Sequence, residues 1–172
     1  MSEGPRGDRG PSPLRPPYGL RPRPRGTYSD QVAEKRALVL GASGQDGPWV
    51  AQELHDAGYV VHGTYLTTEP DSPALAGRIA IDLADPHTRA HGLIESTQPS
   101  IVVFLAGRSS VSGSWVDPAA TMAANLSGYA RILEAVRDVD PSIRVLHASS
   151  SEMFGDAGDV IDEFTPMRPN SP

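Results

Sequence analysis

The chain of 172 residues contains no cysteine and a single lysine, Lys35. The absence of cysteine excludes a disulfide framework, a cysteine-ligated zinc or iron–sulfur site and a thiol nucleophile. No apolar run approaches the roughly 20 residues that cross a bilayer, and no charged-then-apolar stretch resembles a secretory signal. We therefore expect a cytoplasmic protein with no membrane partner.

Residues 1–34 form a segment rich in proline, glycine and arginine. Seven prolines fall within residues 1–30, and almost nothing apolar interrupts them. Such a composition cannot bury enough surface to offset its conformational entropy, so we predict a disordered tail. Residues 1–36 carry eight basic and four acidic side chains. A basic arm is compatible with nucleic acid, but the arm lacks interleaved aromatics and the rest of the chain is acidic, so we expect no nucleic-acid partner.

Residues 35–172 have a different texture, in which short apolar runs alternate with amphipathic segments. The runs predict strands over 36–41, 59–63, 78–83, 100–105 and 143–148, and the segments predict helices over 48–57, 86–97 and 117–138. Alternating elements of this kind imply right-handed β-α-β crossovers and a parallel sheet with helices on both faces. The sequence thus predicts a doubly wound, Rossmann-type α/β domain with its ligand beyond the carboxyl ends of the strands.

A glycine-rich turn (GASGQDG) lies between the first predicted strand and the first predicted helix. Gly41 permits a tight turn, Gly44 lets the backbone approach a pyrophosphate, and Gly47 allows close helix–strand packing. Backbone N–H groups and the helix dipole then bind the negative charge. The alternative is a glycine-rich turn without a ligand. The turn supplies six candidate cofactor-binding residues: Gly41, Ser43, Gly44, Gln45, Asp46 and Gly47.

The spacing G-x-x-G-x-x-G resembles that of the short-chain dehydrogenase/reductase superfamily. Together with residues 62–64 (HGT), the turn is similar to the extended branch, and within it to the GDP-mannose 4,6-dehydratase family. Further similarities follow in order at residues 82–83, 105–111 (LAGRSSV), 148–155 (ASSSEMFG) and 162–172. The resemblance implies six more cofactor-binding residues: Asp82, Leu83, Leu105, Ala106, Gly107 and Ser109. Arg108 stands where that family usually has glutamine.

The resemblance also implies a reaction. It is a lyase reaction that converts GDP-mannose to GDP-4-keto-6-deoxymannose with transient hydride transfer to bound NADP, in an enzyme that forms dimers or tetramers. By motif position, Ser150 corresponds to the hydroxyl that hydrogen-bonds the sugar 4-oxygen. Glu152 corresponds to the base at C5 and the acid at C6. NAD stays an alternative cofactor, because residues 64–69 (TYLTTE) contain neither an arginine nor an immediate aspartate.

The Tyr-x-x-x-Lys pair of this superfamily is absent, because no tyrosine has a lysine four positions later. We therefore expect an N-terminal fragment that lacks the substrate domain and the last part of the fold, binds cofactor at most and is inactive alone. The alternatives are a fragment of a GDP-4-keto-6-deoxymannose reductase or of a sugar-nucleotide epimerase, and a non-catalytic nucleotide-binding module. Gln45 and Asp46 favour the dehydratase over the reductase, and Glu152 disfavours typical epimerases. His87 and His91 have no evident third ligand, so we predict no metal site.

Overall fold

The computed structural model describes residues 34–158 and 160–172. The predicted tail lies outside these residues except for Glu34. The described elements, in chain order, are β1 (Arg36–Leu40), α1 (Gly47–Asp56), β2 (Val60–Tyr65), β3 (Leu75–Ala80), α2 (Ala90–Thr97), β4 (Ile101–Phe104), α3 (Val111–Val116), α4 (Pro118–Met122), a π-helical turn (Ala123–Ser127), α5 (Gly128–Val139), β5 (Arg144–His147) and a 3₁₀ turn (Ser151–Phe154).

The five strands form one parallel sheet in the order β3-β2-β1-β4-β5. β1 is central, and its Ala37 pairs with Val61 of β2 and Ile101 of β4. The chain moves outward from β1 through β2 and β3, then returns to the other side of β1 for β4 and β5. The order therefore reverses between β1 and β4, where sheets of this kind bind ligands. The predicted Rossmann-type sheet is confirmed.

Helices cover both faces of the sheet. Successive residues of each buried strand point to opposite faces, so each strand contributes side chains to two cores. On one face, β1 and β4 pack their fully or almost fully buried side chains against α2 and α5; this core contains Leu38, Leu40, Val102 and Phe104 of the strands with Ile94, Ile132 and Ala135 of the helices. On the other face, α1 packs against the sheet through Ala51, with Ala37, Val39 and Val61 below it.

The predicted helix over 117–138 is present, but it is interrupted. Asp117 begins it as expected, because its carboxylate accepts a hydrogen bond from the backbone N–H of Ala120 at 3.0 Å and Pro118 follows at the first helical position. The π-helical turn then separates α4 from α5. A π-helical turn shifts the side chains that follow it around the helix axis, and such turns are frequent at functional sites. The short helix α3 was not predicted.

Two predicted elements are misplaced, the third strand and the helix after it. β3 extends from Leu75 to Ala80 rather than over 78–83, so Asp82 and Leu83 follow the strand, and α2 begins at Ala90 rather than at residue 86. No helix joins β2 to β3, so alternation is incomplete at this point. Gly77 lies inside β3 opposite His62 of β2, where a Cβ would lie 2.5 Å from His62 Cδ2, so the imidazole ring leaves no room for a side chain at this position.

One apolar side chain of the edge strand β5 stays in solvent. Leu146 is 52 % exposed although it pairs with the buried Val103 of β4. Val145, which points to the opposite face, packs against the core beneath α5. Over the described ranges, no helix has the length and apolar character that crossing a membrane requires.

Candidate functional site

The glycine turn closes tightly over the end of β1. Gly41 has φ +85°, and its carbonyl accepts a hydrogen bond from the N–H of Gly44 at 3.0 Å. A Cβ at Gly41 would lie 2.8 Å from the backbone N and Cα of Ala106, just beyond β4. Both the left-handed conformation and this close approach require glycine. The turn therefore holds the ends of β1 and β4 together.

The same turn leads into the N-terminus of α1. A Cβ at Gly47 would lie 2.3 Å from the carbonyl oxygen of Ala42, so the helix begins in backbone contact with the turn. Asp46 occupies the N-cap position without a capping hydrogen bond from its side chain. The positive end of the helix dipole thus faces the carboxyl edge of the sheet. This arrangement is the one expected for a phosphate-binding turn.

A cavity of about 220 Å³ opens beside the turn at the carboxyl ends of β1, β2, β3 and β4. Eight of the predicted cofactor-binding residues line it: Gly41, Ser43, Gly44, Asp82, Leu83, Leu105, Ala106 and Gly107. They come from three separate segments of the chain, which the reversal of strand order brings to one place. The cavity therefore coincides with the ligand position expected for this fold.

Four other predicted residues, Gln45, Asp46, Gly47 and Ser109, do not line the cavity. Gly47 serves the contact between α1 and the turn, which is the role its spacing indicated. Asp46 precedes it as the N-cap residue. Their roles in cofactor binding stay predictions.

The remaining lining residues were not among the predicted site residues. They are Thr64, Tyr65, Leu66, Ile81, Ala84, Arg108 and Ala124. Thr64 is buried and ties β2 to the turn, because its Oγ1 accepts a hydrogen bond from Gly41 N at 3.1 Å. Tyr65 ends β2, and Leu66 and Ile81 directly follow β2 and β3, so the general rule that ligands lie beyond the strand ends was the signal for these three. Ala124 enters from the π-helical turn, which no sequence pattern revealed.

Asp82 and Leu83 form a turn that is held from two sides. The Asp82 carboxylate accepts a hydrogen bond from Ala84 N at 2.8 Å, and Thr88 donates to the Asp82 carbonyl oxygen. The guanidinium of Arg131 on α5 donates to the carbonyl oxygen of Leu83. The position of this wall of the cavity is therefore set by α5.

Ser150 and Glu152 lie together in the turn after β5. The Ser150 Oγ accepts a hydrogen bond from Glu152 N at 3.1 Å and so caps the 3₁₀ turn. Both side chains are exposed, and neither lines the cavity beside the glycine turn. The structure thus places a hydroxyl and a carboxylate at the carboxyl edge of the sheet, one strand beyond that cavity. Within residues 34–158 and 160–172, no group of three or more histidine, aspartate or glutamate side chains is placed to hold a metal ion.

Comparison with known families shows to which family this Rossmann-type domain belongs. The model of the GDP-mannose 4,6 dehydratase family matches residues 38–172, which is all but two residues of β1 and everything after it. The chain belongs to the GDP-mannose 4,6-dehydratase family. The expected resemblance is therefore confirmed from the third residue of β1 to the end of the chain.

Individual relatives agree with that assignment. The chain is 33 % identical over 154 residues to GDP-mannose 4,6-dehydratase of Sinorhizobium fredii, and the alignment covers 80 % of this chain and 44 % of the relative. It is 34 % identical over 164 residues to GDP-mannose 4,6 dehydratase 1 of Arabidopsis thaliana, covering 84 % and 45 %. The chain thus spans less than half the length of these curated relatives.

The fold is also similar to that of solved structures. The structure of MoeE5 in complex with UDP-glucuronic acid and NAD aligns with a TM-score of 0.70 and 29 % identity, over 79 % of this chain and 44 % of that one. The similarity again covers the Rossmann-type part and ends within the longer protein.

Proposed function

We propose that this chain binds NADP in the cavity beside the glycine turn and supplies the cofactor-binding part of a cytoplasmic GDP-mannose 4,6-dehydratase. The observation that carries the proposal is the convergence of Gly41, Gly44, Asp82, Leu83 and Ala106 on one cavity. The sequence motifs predict each of these residues to contact cofactor. Random surface positions from three chain segments do not meet in this way.

The residues present fit a dinucleotide. A Cβ at Gly44 would meet only the Gly41 carbonyl oxygen, at 3.2 Å, so the outer surface of the turn is bare backbone that a pyrophosphate can approach. The side chains of Leu66, Ile81 and Leu83 give apolar surface to the same cavity. Apolar walls with a few polar groups are typical of sites that hold a purine ring. MoeE5, which has a related fold, was solved in complex with UDP-glucuronic acid and NAD.

Bound NADP supplies reversible hydride transfer at its nicotinamide ring. Within the proposal, the Ser150 hydroxyl binds the 4-oxygen of the GDP-mannose sugar and orients it. The Glu152 carboxylate removes the proton at C5 and returns a proton to the hydroxyl that leaves from C6 as water. The hydrogen bond from Glu152 N to Ser150 Oγ supports these roles, because it holds the hydroxyl against the backbone of the residue that carries the carboxylate.

The 172-residue chain has no tyrosine followed by lysine four positions later, and Lys35 precedes β1. The family resemblance assigns the base for the sugar 4-hydroxyl to the tyrosine of that pair, so we expect the 172-residue chain to bind cofactor without turning over GDP-mannose. The same observation favours a second candidate, a nucleotide-binding module without catalysis. We expect the complete dehydratase to act as a dimer or tetramer.

Isothermal titration calorimetry of the 172-residue chain with NADP+ and NAD+ tests the proposal. We expect binding of at least one dinucleotide, and a loss of at least about tenfold in affinity for Gly44→Val, because the added side chain occupies the path of the pyrophosphate. Gly92→Val is the matched control, since a Cβ at Gly92 has no neighbour nearer than 3.9 Å and the residue lies outside this cavity. Equal binding by both variants would refute the site.

A turnover assay with GDP-mannose and NADP+ separates the two candidates. We expect no product from the 172-residue chain alone. Product formation after addition of a polypeptide carrying the C-terminal part of a relative would support the dehydratase. Dinucleotide binding that never leads to product with any such complement would support the non-catalytic module.

A further inference from the structure

The cavity beside the glycine turn contains one positively charged side chain that the family resemblance does not explain. We propose that Arg108 binds a phosphate group of the dinucleotide, an inference that rests on the proposed function. The resemblance gives glutamine at this position, so the role is particular to this chain.

The charges that line the cavity single out Arg108. It is the one cation among the lining residues, and Asp82 is the one anion. The Asp82 carboxylate already accepts a hydrogen bond from Ala84 N at 2.8 Å. In the described part of the chain, the Arg108 guanidinium has neither an ion pair nor a hydrogen bond. A guanidinium without a partner presents its full set of donors, whose geometry matches a phosphate.

The backbone of Arg108 is fixed although its side chain is free. The Asn125 carboxamide holds it from both directions, accepting from Arg108 N at 2.8 Å and donating to the Arg108 carbonyl oxygen at 3.1 Å. Gly107 lies so close that a Cβ there would be 3.0 Å from Asn125 Oδ1. The π-helical turn that carries Asn125 therefore sets the point from which the Arg108 side chain extends. A fixed origin lowers the entropy that a phosphate contact must overcome.

The cation commonly expected after the second strand is missing here. Thr64, Tyr65 and Leu66, which line the cavity at the end of β2, are all uncharged. Arg78 of the neighbouring strand β3 donates to the carbonyl oxygens of Pro70 at 2.9 Å and Ser72 at 2.6 Å. Arg78 thus organises the β2–β3 loop.

Arg108 enters the same cavity from the β4 side. Two phosphate groups are within its chemistry, the 2′-phosphate of NADP and the pyrophosphate that NADP and NAD share. The experiment must therefore compare both dinucleotides.

Calorimetric titration of the 172-residue chain with NADP+ and with NAD+ tests the inference, using the wild type, Arg108→Gln and Arg108→Lys. We expect Arg108→Gln to weaken NADP+ binding at least about tenfold, the effect typical of losing a charged hydrogen-bond donor. Arg108→Lys should recover part of the affinity, because it keeps the charge without the planar fork. Loss for NADP+ alone assigns the contact to the 2′-phosphate, whereas equal loss for both assigns it to the pyrophosphate.

Arg137→Gln is the matched control, because Arg137 lies on α5 outside the cavity with its side chain 68 % exposed. Circular dichroism melting of each variant checks that the fold is intact. Unchanged affinity of folded Arg108→Gln for both dinucleotides would overturn this inference while leaving the proposed function standing. A wild-type chain that binds neither dinucleotide would overturn the proposed function itself, and this inference with it.

Discussion

The contact between the glycine turn and the end of β4 can be measured with two glycines that share one backbone conformation. Gly41 has φ +85° and Gly58 has φ +81°. A Cβ at Gly41 would lie 2.8 Å from the backbone of Ala106, whereas a Cβ at Gly58 would meet nothing within 4 Å. Alanine at Gly58 therefore reports the cost of the left-handed conformation alone. Alanine at Gly41 reports that cost plus the clash with Ala106.

We expect Gly58→Ala to lower the free energy of unfolding by about 1–2 kcal/mol, the cost of a Cβ in left-handed backbone. We expect Gly41→Ala to lower it by a further ~1–3 kcal/mol, as for an overpacked site, because backbone atoms at Ala106 cannot rotate away. Urea denaturation followed by circular dichroism measures both. At a slope of about 2 kcal/mol per molar urea, the extra loss moves the midpoint by roughly 0.5–1.5 M.

Dinucleotide binding should separate the same two variants more sharply. Gly58 lies after α1, outside the cavity, so Gly58→Ala should keep the wild-type affinity. Gly41→Ala should lose it, because relief of the clash moves the lining residue Ala106. If Gly41→Ala is no less stable than Gly58→Ala and binds dinucleotide equally well, the reasoning about the close approach is refuted.

Three further predictions concern the frame around the site. Asp117→Ala should lower the free energy of unfolding by about 1 kcal/mol in urea denaturation, since the cap of α4 is lost; an unchanged midpoint would contradict this role. Phe104→Ala should lower it by ~3–5 kcal/mol, because Phe104 is 1 % exposed in the core beneath α5; a loss below about 1 kcal/mol would contradict the packing. Hydrogen bonds from Arg137 and then His91 lower the pKa of Asp138 to about 2 from an ordinary value of 3.8. Ionised Asp138 therefore stabilises the folded state above about pH 4, and the stability difference between wild type and Asp138→Asn should shrink as the pH falls from 5 to 2; a difference independent of pH would argue against the link.

The sequence revealed the sheet and the glycine turn because their signals are local. Gly41, Gly44 and Gly47 are separated by fixed short spacings, and the structure shows the backbone requirement at Gly41 and Gly47, whereas the approach of a pyrophosphate at Gly44 stays a prediction. Asp117 and Pro118 likewise marked a helix start from two adjacent residues. The reversal of strand order followed from the general topology of such sheets and not from any single residue.

The errors fall where distant residues decide local structure. The predicted start of β3 at residue 78 missed Gly77, whose place inside the strand depends on the ring of His62 on the neighbouring strand. The wall of the cavity contributed by Ala124 depends on a π-helical turn that helical periodicity does not show. Arg108 was visible in the sequence, yet its fixed position depends on Asn125, which lies 17 residues later.

The catalytic roles of Ser150 and Glu152 came from the family resemblance and stay predictions. Their positions in one turn after β5 follow from the hydrogen bond between Ser150 Oγ and Glu152 N. A test of either role requires an active assembly, because this chain lacks the tyrosine and lysine pair. Cofactor binding is the part of the proposed function that can be tested on the chain itself.

The central claim is that the cavity at the carboxyl ends of β1–β4 holds a nicotinamide dinucleotide. Two-dimensional ¹H–¹⁵N NMR of the 172-residue chain during titration with NADP+ tests it most directly. We expect saturable shifts of the amide signals of Gly41, Gly44, Leu83 and Ala106, with little change in α2 and the outer face of α5. Absence of shifts at saturating NADP+ and NAD+ would contradict binding in this cavity. Shifts confined to the surface between α2 and α5, around Arg89 and Glu134, would also contradict it.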